Sequence, residues 1–277
     1  MSFDLSWQLV LELLVLGSVI GFLAGLLGIG GGMLMVPFLT LLLTHKNFPA
    51  DLVLKMAVAT SLATICFTSI ASVRAHHARG AVRWDVVKLL APGIVAGGLL
   101  GAQIAKALPN AVLAVLFAVF IGFSATQMLW NKKPAASRQL PRGTGVFSAG
   151  MFGAGGLIGL LSSLVGAGGA FISVPFLTWC NLPIHNAVGT SAALGFPIAL
   201  ASTVGYVIAG WSLHDLPPGT VGFLYLPALL VISVASISTA RWGAAAAHRL
   251  NMMQLRRMFA VLLYGLAAYM LFKAFGT

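Results

Sequence analysis

The chain has 277 residues, of which 59% are hydrophobic and only 8% are charged. Soluble domains carry about 25% charged residues, so this composition excludes an ordinary water-soluble protein and indicates an integral membrane protein. The net charge of +11 does not predict nucleic-acid binding. Cationic loops follow from the positive-inside rule, and no basic run is interleaved with aromatic residues on a soluble segment.

Long apolar runs predict ten helical segments and argue against the short alternating strands of a membrane β-barrel. Crossing a bilayer takes about 20 apolar residues, so we interpret the second and seventh runs as half-helices. In chain order the runs lie near 8–27, 32–44, 52–73, 86–106, 110–130, 145–165, 170–181, 186–210, 220–247 and 254–275.

A polar, charged and proline-containing stretch at 131–143 interrupts the apolar sequence near its middle. Such composition is typical of a linker. We therefore divide the chain into a first transmembrane repeat at 1–130, a cytoplasmic linker at 131–143 and a second transmembrane repeat at 144–277.

The two halves resemble each other in sequence, at offsets that drift only through the loops. This pattern indicates an internal duplication. The matching stretches are Gly28–Thr40 with Gly166–Thr178, Ala57–Ser61 with Ala187–Ser191, and Gly80–Asp85 with Gly210–Asp215.

The distribution of Lys and Arg decides between two topologies. If each glycine motif is a mere kink, nine cations lie on one side of the membrane and seven on the other. If each motif turns the chain back, giving five elements per half, twelve lie on one side and only Lys46, Lys55, Lys106 and Lys273 on the other. This bias fits the positive-inside rule, and an odd number of elements inverts the second repeat relative to the first. We therefore predict an all-α membrane protein of two inverted repeats, each with a glycine-tipped re-entrant helix, and both termini extracytoplasmic.

The paired glycine motifs are the predicted binding site. If the chain reverses there, helices that begin at Met33 and Phe171 point their free N–H groups and positive dipole ends into the protein, where they suit an anion. Tight helix packing is the alternative reason for such glycines. The predicted site glycines are Gly28, Gly30, Gly31, Gly32, Gly166, Gly168 and Gly169.

A Thr-Ser pair follows each motif, as Thr60-Ser61 and Thr190-Ser191. Hydroxyl groups can donate hydrogen bonds to an oxyanion without placing a charge in the bilayer. The alternative is that they bond back to the carbonyl four residues earlier, as Ser and Thr often do in membrane helices.

Two histidines, His76 and His77, stand near the end of the third run between Arg74 and Arg79. They could relay protons or sense pH, or they could form an interfacial cluster near the headgroups. The sequence leaves these alternatives open.

Motifs for nucleotide binding and for hydrolysis are absent from the sequence, as is a His-Glu-x-x-His zinc motif. We therefore expect no catalytic residues, no metal and no cofactor. An intramembrane enzyme or an accessory subunit is the remaining alternative, although its only candidate nucleophile, Cys66, has no histidine near it in sequence.

The two motifs Leu27–Gly32 with Val36-Pro37, and Gly166–Gly169 with Val174-Pro175, resemble the sulfite exporter TauE/SafE family over essentially the whole chain. The resemblance implies an inner-membrane permease for sulfite, sulfoacetate, thiosulfate or related small acids. It does not imply a direction of transport. The second motif departs from the triple glycine at Ala170, which makes the two half-sites unequal.

From these features we predict a secondary transporter of small anions that works by alternating access in the bacterial inner membrane. Its partners would be the anion, the lipid bilayer and a coupling proton or cation. An anion channel that uses the same helix dipoles is the alternative.

Overall fold

The computed structural model describes residues 7–27, 32–130, 146–213, 216–247 and 252–275. Over these ranges the chain forms ten α-helices and one small antiparallel hairpin. The helices are α1 (Trp7–Leu27), α2 (Gly32–His45), α3 (Ala50–Ala78), α4 (Trp84–Ala107), α5 (Asn110–Trp130), α6 (Val146–Val165), α7 (Ala170–Trp179), α8 (Ile184–Gly210), α9 (Leu226–Ala247) and α10 (Met252–Phe275). The hairpin strands are β1 (Thr220–Val221) and β2 (Leu224–Tyr225).

Seven of the described helices are long and apolar enough to cross a membrane, and many of their large apolar side chains are exposed on the outside of the bundle. The protein is therefore a helical, multi-pass membrane protein. As predicted, α2 and α7 belong to the shorter apolar helices.

The predicted helix at 220–247 is wrong at its start, because the structure places β1 and β2 before α9. The reason is local. Pro217 and Pro218 remove two backbone donors, and Gly219 and Gly222 adopt positive φ angles of 76° and 58°, which a helix does not contain.

The helices α1 and α2 run in opposite directions. Lys46, just after α2, pairs with Glu12 near the start of α1 at 3.0 Å, while residues 28–31 join the other ends of the two helices.

Glycine-mediated pairs hold α1 against α9 and α4 against α6. A Cβ at Gly97 of α4 would lie 2.8 Å from the carbonyl carbon of Gly156 in α6, so only glycine permits this approach. On α1, Gly17 faces Ile232 of α9. The same four-residue spacing of glycines recurs in both pairs, as in other membrane helices that pack closely. The spaced glycines are Gly17, Gly21, Gly25, Gly93, Gly97, Gly101, Gly155 and Gly159.

The described lysine and arginine side chains divide between the two ends of the helix bundle. Lys55 donates to the Lys106 carbonyl, and Lys273 donates to the Thr44 hydroxyl. Lys46 lies two residues after Thr44 in the chain. We call this the lysine end. The helices α3 and α9 carry arginine towards their C-terminal ends, and α4 and α10, which finish at the lysine end, carry cations near their starts. At this opposite end, the arginine end, lie Arg74, Arg79, Arg83, Lys88, Arg241 and Arg257.

The helices α3 and α8 cross antiparallel at the centre of the bundle, where Cys66 Sγ lies 3.9 Å from Thr203 Oγ1. From Met56 to Ile65, α3 is continuously buried. These two helices carry the Thr-Ser pairs of the predicted anion site, Thr60-Ser61 on α3 and Thr190-Ser191 on α8.

A loop precedes α4 and a similar loop precedes α9, but they are not the two stretches that the sequence comparison paired. Gly80 has φ 66° and is followed four residues later by α4. In the second half Gly222, with φ 58°, is followed four residues later by α9. The predicted match of Gly80–Asp85 with Gly210–Asp215 is therefore wrong, because the hairpin inserts residues between α8 and its following loop.

Candidate functional site

The two glycine segments meet at Ser61, as far as the structure describes them. The Ser61 hydroxyl lies 3.0 Å from the carbonyl oxygen of Gly166 and 3.3 Å from that of Gly32, and it is fully buried. One hydroxyl proton can serve only one of these acceptors at a time. Ser61 thus links the start of α2 and the segment before α7 to the middle of α3.

The first half of the predicted site is only partly described. Gly28, Gly30 and Gly31 lie outside the described residues, and Gly32 is the first residue of α2. A Cβ on Gly32 would lie 2.8 Å from the carbonyl oxygen of Gly166. The close approach of the segment before α7 therefore requires glycine at this position.

The N-terminus of α7 presents free backbone donors. Gly169 is its N-cap residue, and the positive φ of 75° turns the chain into the helix. No acceptor in the described part of the chain bonds the N–H groups of Gly168, Gly169, Ala170 or Phe171. The dipole of α7 adds about half a positive charge at this position, which favours an anion.

The hydroxyl of Ser162 faces this helix start. It is fully buried, it has no hydrogen-bond partner among the described residues, and it lies 3.1 Å from a Cβ position on Gly169. Buried hydroxyls are normally paired, so an unpaired one beside free N–H groups makes Ser162 a candidate donor to a ligand. Sequence reasoning missed Ser162 because it searched for hydroxyls repeated in both halves, and Ala24 stands at the matching place.

Ser191 joins this cluster through Ser173. Their hydroxyl oxygens lie 2.6 Å apart, and Ser173 also donates to the Gly169 carbonyl at 2.9 Å. If Ser173 donates to Gly169, Ser191 donates to Ser173, and both protons are used within the protein. This chain of bonds fixes the start of α7 against α8.

Thr60 and Thr190 have matching roles. The Thr60 hydroxyl accepts the N–H of Tyr225 at 3.1 Å, and the Thr190 hydroxyl accepts the N–H of Arg83 at 3.0 Å. Each threonine therefore holds the extended segment that precedes α9 or α4.

Two isoleucines border the α7 N-terminus. Ile65 Cγ2 lies 3.3 Å from a Cβ position on Gly168, and Ile198 packs against Gly169. Gly168, Ala170 and Phe171 are only half-buried. The start of α7 is therefore partly exposed between these isoleucines, with backbone amides and the buried Ser162 hydroxyl as its polar groups.

The other candidate residues, His76, His77 and Cys66, lie apart from the cluster at the start of α7. Near the arginine end, His77 Nδ1 accepts from Trp84 Nε1 at 3.1 Å, while His76 Nδ1 is buried without a partner among the described residues. Cys66 contacts Thr203, not a histidine. Within the described ranges, no three His, Cys, Asp or Glu side chains group in a way that could hold a metal ion.

Comparison with known proteins gives the family. The family model described as "Sulfite exporter TauE/SafE" matches residues 13–270. A "Probable membrane transporter protein" of Haemophilus influenzae is 35% identical over 95% of this chain and 98% of its own length. A relative with the same description from Methanocaldococcus jannaschii is 25% identical over 97% of this chain and 98% of its own length, and one from Bacillus subtilis is 27% identical over 73% and 79%.

Proposed function

Because the chain belongs to the sulfite exporter TauE/SafE family of membrane transporters, we propose that it is a secondary transporter of small oxyanions. Sulfite, thiosulfate, sulfoacetate and related organic acids are the substrate class. The observation that carries the proposal is the start of α7, where four backbone N–H groups and the Ser162 hydroxyl lack acceptors among the described residues.

The anion binds in front of α7 with its oxygen atoms on these N–H groups and on Ser162. Backbone donors and a helix dipole balance the negative charge without a buried lysine, which would be costly in the bilayer when the site is empty. The segments at Gly32 and Gly166, which Ser61 links, form the wall of the anion site on the side of α3. The glycines Gly28, Gly30 and Gly31 complete the first half-site in this proposal.

The fold is proposed to consist of two inverted repeats, α1–α5 and α6–α10, which correspond to 1–130 and 144–277 with the linker 131–143 between them. In support of this division, α1 pairs with α9 as α6 pairs with α4, and Thr60 and Thr190 hold equivalent loops. In such transporters one repeat rocks against the other around a fixed central site, which gives alternating access.

The arginine end faces the cytoplasm in this proposal, since the positive-inside rule places the larger number of cations there. Both termini are then extracytoplasmic, and the membrane is the bacterial inner membrane. Transport is coupled to a proton or cation gradient.

Counterflow in proteoliposomes tests the proposal. Vesicles loaded with unlabelled sulfite and diluted into labelled sulfite should accumulate label transiently, and the rate should saturate. An anion channel, which shares the helix-dipole site, would show neither saturation nor counterflow. The variant Gly168→Leu should abolish exchange, because its side chain fills the space before Phe171. Gly153→Leu, at a position with nothing within 4 Å of its Cβ, is the matched control and should exchange normally.

A further inference from the structure

The helices α4 and α8 form a close seam from the middle of the bundle to the lysine end. A Cβ at Gly98 would lie 3.0 Å from Ser202 Oγ, and one at Gly205 would lie 2.8 Å from the Ala102 side chain. Towards the lysine end, Gln103 Nε2 donates to the Gly205 carbonyl at 3.3 Å. The seam is thus built from small residues and closed by polar contacts.

Lys106 ends this seam. Its ammonium group donates to the Ser212 hydroxyl at 3.1 Å, and its carbonyl accepts from Lys55 at 2.9 Å. No carboxylate among the described residues lies within 4 Å of the Lys106 or Lys55 ammonium group, although the Asp51 carboxylate, one helical turn from Lys55, interacts with Lys55 electrostatically. Two cations, of which Lys106 has a neutral partner, therefore stand at the aqueous end of the seam.

The equivalent seam between α3 and α9 is packed where α9 begins. There Tyr225 bonds Thr60, and Ala63 packs on Leu224 and Leu229. Further towards the arginine end, Ala71 and Ala75 are exposed, whereas Ala201 and Gly205, their counterparts on α8, are buried. Among the described residues, the α4–α8 seam is consequently closed towards the lysine end, whereas the equivalent positions of α3 towards the arginine end are exposed.

Ser202 lies inside the closed seam with an unpaired hydroxyl. It is fully buried, and its oxygen has no partner among the residues that the structure describes. The seam also touches the anion site, because Ser163, the neighbour of Ser162, donates to the Gly98 carbonyl at 3.0 Å. An unpaired hydroxyl in this position is accounted for if the seam opens and Ser202 then meets water or an anion.

We propose that the α4–α8 seam is the closed half of the transport path and that Ser202 is a second, transient contact for the small oxyanion. Lys106 receives the anion at the mouth. This inference rests on the proposed function, and it adds a subsite and a route to it. When α4 separates from α8, the anion passes from Ser162 to Ser202 and leaves beside Lys106, while α3 closes against α9.

Thiol labelling tests the route. In a variant with Cys66→Ala and Cys180→Ala, the change Ser202→Cys places a thiol inside the seam. An anionic sulfonate-bearing methanethiosulfonate reagent should label it slowly at rest and at least fivefold faster during counterflow of sulfoacetate, which, unlike sulfite, neither consumes the reagent nor cleaves the mixed disulfide. Ala118→Cys, buried elsewhere between α5 and α10, is the control and should stay unlabelled in both states. Labelling of Ser202→Cys that turnover does not change, in a protein that transports, would overturn the proposal.

Two further variants separate this proposal from the proposed function. Ser202→Ala should lower the maximal counterflow rate several-fold while sulfite still stabilises the purified protein against heat. Lys106→Gln should raise the KM for sulfite supplied from the lysine end and leave the KM from the arginine end unchanged. Normal kinetics in both variants would overturn the subsite and the route. An absence of sulfite binding and transport in the unmodified protein would instead overturn the proposed function.

Discussion

Ser162 shows what a single hydroxyl contributes at the start of a helix. It stands fully buried beside Gly169 with no described partner, although burial of an unpaired hydroxyl is unfavourable. A bound oxyanion would supply the missing acceptor. A comparison of the two halves could not identify Ser162, because the matching position in the first half carries no hydroxyl. The pair Ser162-Ser163 stands just before a glycine turn, and this pattern is visible in the sequence of the second half alone.

Ser162→Ala should weaken anion binding about tenfold, because a hydrogen bond to a charged group contributes about 1.5 kcal/mol. The Kd of the purified protein for sulfite, measured by calorimetry, checks this. Ser233→Ala is the matched control, since Ser233 of α9 is also buried and unpaired among the described residues. Equal Kd values for both variants and the unmodified protein would remove Ser162 from the site.

Thr60→Val should lower the free energy of unfolding by about 1–3 kcal/mol, because it leaves the buried N–H of Tyr225 without its acceptor. Thr190→Val should lower it by less, because the hydrogen bond from the Arg83 N–H is only partly buried. Thermal unfolding in detergent measures the loss, and Thr→Ser at each position should restore most of it. The sequence predicts direct contact with the substrate instead. A rise in the apparent substrate constant with unchanged thermal stability would favour that reading.

At the scale of secondary-structure elements, pairs of closely packed helices determine the architecture. The half-helices α2 and α7 were predictable, because their glycines and prolines interrupt runs too short to cross a bilayer. The start of α9 was not, because the apolar residues of β1 and β2 continue its hydrophobic run and only Gly219 and Gly222 mark the turn. The glycine spacing on α4 and α6 was present in the sequence, but the partner helix follows only from the fold.

Gly97→Val should separate α4 from α6 and destabilise the protein, because a side chain there meets the Gly156 backbone. We expect little folded protein, and size-exclusion chromatography of a fluorescent fusion measures the yield. Gly122→Val on α5, where nothing lies within 4 Å of the added Cβ, should behave like the unmodified protein. Equal yields from both variants would contradict the packing described for α4 and α6.

At the scale of the whole molecule, the separation of cations connects sequence and structure. The four lysines predicted to share one side lie together at the lysine end, and the described arginines lie at the other. Counting charges could predict this division, because topology constrains it. The order in which helices pair across the halves, and the unequal α4–α8 and α3–α9 seams, depend on tertiary packing and are not encoded in any local pattern.

A reporter fused after Thr277 tests the orientation. Alkaline phosphatase in that position should be active, since the lysine end where α10 finishes is proposed to be extracytoplasmic. A green fluorescent protein fusion at the same position should stay dark. The reverse pattern would place the arginine end outside and overturn the proposed orientation, although not the anion site.

The central claim is that an anion binds to the free N–H groups at the start of α7. Thermal unfolding of the purified protein against a panel of small oxyanions and organosulfonates tests it most directly, because a ligand stabilises the state that it binds. We predict that at least one of them, with sulfite the first candidate, raises the unfolding temperature of the unmodified protein and of Gly153→Leu but not of Gly168→Leu or Gly30→Leu. Equal stabilisation of all four proteins, or none of any, would contradict the account.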